Sequence, residues 1–97
     1  MATIKLAEGV WEDFERILAH LDKFQVQNPL ERIQAIIKAI DVLETNPLVG
    51  RPIDSIKREL VIGKDSQGYV ALYHYSPIVD AVFILAVRSQ RQAGYAR

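Results

Sequence analysis

The apolar residues of this chain change their period once along its length, and that change constrains the fold more than any other feature. Val10, Trp11, Phe14, Ile17, Leu18, Leu21 and Phe24 recur at steps of one and three, forming one stripe at the helical period. From Arg58 the pattern alternates instead. Leu60 and Ile62 stand against Glu59 and Val61; Tyr69, Ala71, Tyr73 and Tyr75 then stand against Val70, Leu72, His74 and Ser76. Residues that bury one stripe as helices and then one face as strands predict an α+β sandwich.

Local signals set the boundaries. Ala2–Leu6 alternates weakly and predicts a first strand. The first helix carries Glu12, Asp13, Glu15, Arg16, Asp22 and Lys23 on its expected wet face. In Asn28-Pro29-Leu30-Glu31 a capping Asn28, a first-position Pro29 and a back-reaching Glu31 open a second helix. It runs to about Thr45, where Asn46-Pro47 stops it. The short Gln25-Val26-Gln27 link makes the pair an antiparallel hairpin. The polar residues of the second helix form a narrow stripe, and Leu30, Ile33, Ala35, Ile36, Ile37, Ala39, Ile40, Val42 and Leu43 cover most of the rest. That is more apolar surface than one neighbour needs, and it predicts contact with both the first helix and a sheet, or with a partner protein. After a loop at Leu48–Pro52, strands are expected at Arg58–Gly63, Tyr69–Ser76 and Ala81–Arg88, separated by turns at Lys64–Gly68 and Pro77–Asp80. The last strand is nearly all apolar and is expected to be central. The predicted architecture is an N-terminal strand and an antiparallel helix hairpin packed on one face of an antiparallel sheet that ends in a three-stranded meander, one domain over residues 1–97.

Composition narrows the function classes. With 97 residues, 49% of them hydrophobic, the chain suits one small domain. It has no cysteine, which excludes disulfides and thiolate zinc sites. The first residues lack the apolar core of a signal peptide, and no run approaches the roughly 20 apolar residues of a membrane span. The expectation is a soluble cytoplasmic protein without a membrane role. The net charge is zero, but residues 1–50 hold five Lys/Arg against eight Asp/Glu, and residues 51–97 hold seven against four. The second half is better suited to meet an anion.

Arg51, Arg58, Arg88 and Arg91 stand at expected element ends, and by strand parity Arg88 shares a face with Val82, Ile84 and Ala86. Converging guanidinium groups suit phosphate or carboxylate; the alternative is ion pairing with Asp54, Glu59 and Asp80. Tyr95 follows Arg91 by four residues, one helical turn, as a stacking or proton-transfer group or as a hydrophobic lid. The stripe Tyr69, Tyr73, Tyr75 serves cross-strand packing or a platform for a partner. His20 falls on the polar side of the first helix. His74 lies on a strand, where it can titrate. Neither histidine has a second ligand at metal spacing, no glycine-rich phosphate loop is present, and no nucleophilic triad can be assembled. No metal or cofactor is expected.

The pattern resembles the RelE/ParE superfamily of bacterial type II toxin–antitoxin toxins. The resemblance spans almost the whole chain and is carried by Leu43-Glu44-Thr45-Asn46-Pro47, Gly50-Arg51-Pro52, Arg58-Glu59-Leu60-Val61-Ile62, Ile84 through Arg91, and Gly94-Tyr95. It implies a toxin neutralised by a cognate antitoxin that lays a helix and an extended segment across apolar toxin surface, with toxin–antitoxin hetero-oligomers and a link to plasmid stabilisation. It also implies two possible activities, poisoning of DNA gyrase in ParE-like members and ribosome-dependent mRNA cleavage in RelE-like members. A degenerate member would bind antitoxin without toxicity. A nuclease would use Arg58, Arg88, Arg91 and Tyr95. Contact with antitoxin or target is expected at Trp11, Ile36, Ile40, Arg51, Tyr73, Arg88, Arg91 and Tyr95. The chain departs from the RelE-like pattern in its neutral charge and in lacking a general base other than His74, which favours the ParE-like, gyrase-directed expectation.

Overall fold

The computed structural model describes residues 1–25, 27–63 and 68–90. Strand β1 (Thr3–Leu6) is followed by helix α1 (Glu8–Lys23), helix α2 (Pro29–Asp41) with a 3₁₀ turn at Val42–Glu44, and strands β2 (Arg51–Pro52), β3 (Arg58–Ile62), β4 (Tyr69–Ser76) and β5 (Ala81–Ser89). The five strands form one sheet in the order β1-β5-β4-β3-β2.

The expected elements are present, with four differences. The sheet is mixed, because β1 pairs parallel to β5, with Thr3 opposite Ala81 and Leu6 opposite Ile84. Arg51 and Pro52, expected in a loop, add a two-residue edge strand opposite Glu59 and Arg58. Asn28 precedes α2 but does not cap it with its side chain; it stands at φ 56, in the left-handed region that asparagine tolerates, and with Gln25 at φ 51 it helps to reverse the chain. The last turn of the second helix tightens into the 3₁₀ segment. Val26 of the expected helix link and residues 64–67 of the expected β3–β4 turn lie outside the described residues.

The core lies between the helix hairpin and one sheet face. From α1 it takes Val10, Phe14, Ile17 and Leu21; from α2 and its last turn it takes Ile33, Ile36, Ile40 and Leu43, at steps of three and four. The sheet supplies Ile62, Tyr69, Ala71, Tyr73, Val82, Ile84 and Val87. Each fully buried aliphatic side chain contributes about 1.5–3 kcal/mol. The wide apolar surface of α2 is therefore divided: Ile33, Ile36, Ile40 and Leu43 are buried, Ala39 is half-buried, and Leu30, Ala35, Ile37 and Val42 remain exposed.

A β-bulge shifts the phase of β5. Leu72 pairs with Ala86 and Tyr73 with Ile84, which leaves Leu85 without an opposite residue. Before the bulge Val82 and Ile84 face the helices; after it Val87 does, opposite Ala71. Arg88, opposite Val70, thus falls on the other face from Val82 and Ile84, contrary to simple parity.

Candidate functional site

Two polar clusters organise the charged residues. The first is built on α1. Asp13 stands three residues after Val10 and four before Ile17, so helical geometry turns it into the sheet with them, and it is 1% exposed. Pairing of β1 with β5 ends at Ile84, and beyond that point no strand among the described residues lies beside this edge of β5. Asp13 Oδ2 accepts the Val87 N–H there at 2.9 Å. Its Oδ1 accepts the guanidinium groups of Arg88 and Arg16. Burial pushes the Asp13 carboxyl up, but the Val87 N–H and then Arg88 and Arg16 outweigh it and hold the group below its ordinary value.

The second cluster pins the segment from Leu48 to Lys57 onto β3 and β4. Arg58 donates from Nη1 to the carbonyls of Leu48 at 3.1 Å and Gly50 at 2.8 Å. The Gly50 N–H donates to the buried Tyr73 hydroxyl at 2.8 Å. Gly50 must be glycine here, since a Cβ would fall 2.6 Å from the Tyr73 ring and 2.8 Å from the Glu59 carbonyl oxygen. Arg51 pairs with the buried Glu59 carboxylate directly across the β2–β3 ladder. His74 Nδ1 lies 2.7 Å from the Ile56 carbonyl, which can only accept, so that nitrogen carries the hydrogen. Asp54 takes the N–H groups of Ile56 and Lys57 at 2.9 and 2.7 Å, bonds that hold its carboxyl below the ordinary range.

The expected contact residues divide accordingly. Trp11 is exposed on α1, edge-on to Phe14. Arg51 is exposed and paired with Glu59. Arg88 is mostly buried and paired with Asp13. Ile36, Ile40 and Tyr73 are corrected: at 1%, 3% and 0% exposure they are core residues and offer a partner no surface. Tyr69 and Tyr75 also turn toward the core, so the tyrosine stripe is packing, and burial pushes the Tyr73 phenol up. Asp13, expected on the wet face, is the most connected carboxylate described. Arg91 and Tyr95 lie outside the described residues. The expected convergence of arginines on one anion does not occur among the described residues, where Arg51, Arg58 and Arg88 each hold a different protein oxygen. Leu30, Ile37 and Val42 were missed as surface residues. The signal was in the phase of α2, since 33, 36, 40 and 43 are apolar throughout, while 30 and 37 alternate on their row with Gln34 and Asp41. Among the described residues no three His, Asp or Glu gather as a metal site requires, and no helix is long and apolar enough to cross a membrane.

Comparison with known proteins gives three findings. A sequence model of the ParE toxin of the type II toxin–antitoxin system parDE matches residues 4–94. No curated protein sequence matches. Among solved structures, the chain is similar to the chromosomal ParDE toxin–antitoxin system from P. aeruginosa, with a TM-score of 0.72, 19% identity, and coverage of 92% of this chain and 96% of that one. It is also similar to the toxin–antitoxin complex RelBE2 from Mycobacterium tuberculosis, at TM-score 0.63, 20% identity, and coverage of 92% and 98%. A conserved hypothetical protein from Helicobacter pylori follows, at TM-score 0.58, 20% identity, and coverage of 94% and 97%. At these identities the structures share the fold.

Proposed function

The chain belongs to the ParE toxin family of type II toxin–antitoxin systems, and on that premise we propose that it arrests growth by binding and poisoning DNA gyrase until a cognate antitoxin covers it. Three arginines support this reading over mRNA cleavage. A ribonuclease of this fold needs cations free to hold phosphate. Here Arg58 is committed to the carbonyls of Leu48 and Gly50, Arg88 to Asp13, and Arg51 to Glu59. Turning any of them toward a phosphate would cost those bonds. His74 donates its Nδ1–H to the Ile56 carbonyl and stacks its ring 6.3 Å from Phe83, which ties the Leu48–Lys57 segment to β4. The antitoxin's apolar segment is proposed to cover the hairpin residues that the fold leaves exposed, Trp11 and Ile37 among them.

The test sets two assays side by side. Purified toxin at micromolar excess is added to gyrase supercoiling reactions and to programmed ribosomes carrying mRNA. Lost supercoiling with intact mRNA is the expected result. Cleaved mRNA with unaffected supercoiling overturns the gyrase reading, and loss of that cleavage on Arg58→Ala would make the nuclease the function.

A further inference from the structure

Two exposed apolar surfaces of this chain stand in opposite charge. One is the helix hairpin, where α1 and α2 together hold seven Asp/Glu against four Lys/Arg. The other is the segment from Leu48 to Lys57, where Leu48, Val49, Ile53 and Ile56 are 59%, 59%, 46% and 59% exposed. The backbone of that segment is fixed from beneath. Arg58 donates to the carbonyls of Leu48 and Gly50, the Tyr73 hydroxyl accepts the Gly50 N–H, and His74 holds the Ile56 carbonyl. A rigid backbone presenting four aliphatic side chains loses little entropy on being covered, which is the profile of a contact surface.

The charges around these side chains select what covers them. Residues 48–59 contain three Lys/Arg and two Asp/Glu. Lys57 stands 3.8 Å from Asp54 and balances it. Arg51 pairs with Glu59, but the pair is layered: the Glu59 side chain is 5% exposed and that of Arg51 76%, so solvent meets the cation. Arg58 is bonded to carbonyls, and among the described residues no carboxylate pairs with it. The face is therefore aliphatic and cationic, the complement of a segment that is aliphatic and anionic. The Arg58 charge acts through space, and neither of its carbonyl bonds has to break. A polynucleotide fits this face less well, because residues 48–57 include no aromatic ring to stack a base and the surplus is a single charge. We propose that the Leu48–Ile56 face docks an extended segment of a partner protein in which Asp or Glu stands beside aliphatic residues. The proposal is independent of whether the target is gyrase and of what covers the acidic hairpin.

A displayed library of short peptides, drawn from acidic, basic, aliphatic and small polar residues, is selected on the immobilised full chain and counter-selected on Ile56→Glu. Ile56 is exposed, so this variant should melt with the wild type, and Ile56→Ala replaces it if it does not. The clones lost on the variant should combine Asp or Glu with Leu, Ile or Val. Titration of one such peptide then reads the two contributions separately. Leu48→Ala and Ile56→Ala should each weaken it by about threefold or more, and Leu30→Ala on α2 should not. Ser55 is exposed within the face, and its side chain holds no printed bond that a substitution would break. Ser55→Lys should tighten binding and Ser55→Glu weaken it, each by roughly two- to fivefold at low salt and by less at high salt. The proposal is overturned if no clone depends on Ile56, or if the dependent clones are basic or uncharged. It is also overturned if both Ser55 variants act alike, or if a single-stranded oligonucleotide displaces the peptide. Sedimentation showing a dimer that Ile56→Glu dissociates would give the face to a second copy and overturn it as well.

Discussion

Asp13→Ala is the substitution from which most can be learned. It removes one carboxylate and leaves the Val87 N–H and the Arg88 guanidinium without the acceptor they now share. A buried group left unsatisfied costs about 1–3 kcal/mol, and breaking a buried charge pair costs about 3–5 kcal/mol. The Arg88 side chain keeps 14% of its surface in solvent and can partly rehydrate, which places the total near 2–4 kcal/mol. A chain of this size has about 5–15 kcal/mol in all, so the melting temperature should fall by about 10–25 °C. Urea titrations followed by circular dichroism measure the loss, and repeating them across pH isolates its ionic part. The folded Asp13 carboxyl lies below its ordinary value of 3.8, whereas the unfolded one sits near 3.9. The stabilisation is therefore fully present above the unfolded value and is lost as pH falls through the folded one. The gap between wild type and Asp13→Ala should be constant above about pH 5 and narrow below about pH 4. A gap under about 0.5 kcal/mol at neutral pH, ordinary for a surface change, would refute the account of this site. So would a gap that acid leaves unchanged.

Other positions give simpler expectations. Gly50→Ala forces a methyl group against the Tyr73 ring and the Glu59 carbonyl and should destabilise by about 1–3 kcal/mol in chemical denaturation. Tyr73→Phe leaves the Gly50 N–H without its acceptor, at about 1–3 kcal/mol by the same measurement. Ile36→Ala should cost about 2–5 kcal/mol by opening a cavity under α2. Trp11→Ala should leave the melting temperature nearly unchanged but weaken binding of the cognate antitoxin by more than about 1 kcal/mol in calorimetric titration.

The change of period from helix to strand was legible because each half of the chain needs one buried face, and the spacing of apolar residues records it. The core stripes of α1 and α2 could be read for the same reason, but not the burial of Asp13, whose charge assigns it to the wet face although it stands in phase with Val10 and Ile17. Its role could not be read, because the group it serves is a backbone N–H on a strand far along the chain. Arg58 illustrates the same limit: its position at a strand start was visible, but its carbonyl partners belong to a loop whose path the residue types do not dictate. The parallel pairing of β1 was hidden because an isolated strand does not encode its neighbour. Residues Ala81 to Val87 are apolar without a break, so no alternation marked where the phase slips at Leu85.

That slip means β5 is written in two reading frames. Ahead of Leu85, even-numbered residues supply the core; beyond it, Val87 does, and Arg88 is free to meet Asp13. Deleting Leu85 would remove no polar contact and only one half-buried side chain. It would close the bulge and keep the register, with Val87 still opposite Ala71 beneath the helices and Arg88 opposite Val70, whereas deleting Val87 would bring Arg88 into the position that faces the helices. Among natural variants and in deletion libraries, this strand should accept the loss of Leu85 far more readily than the loss of Val87.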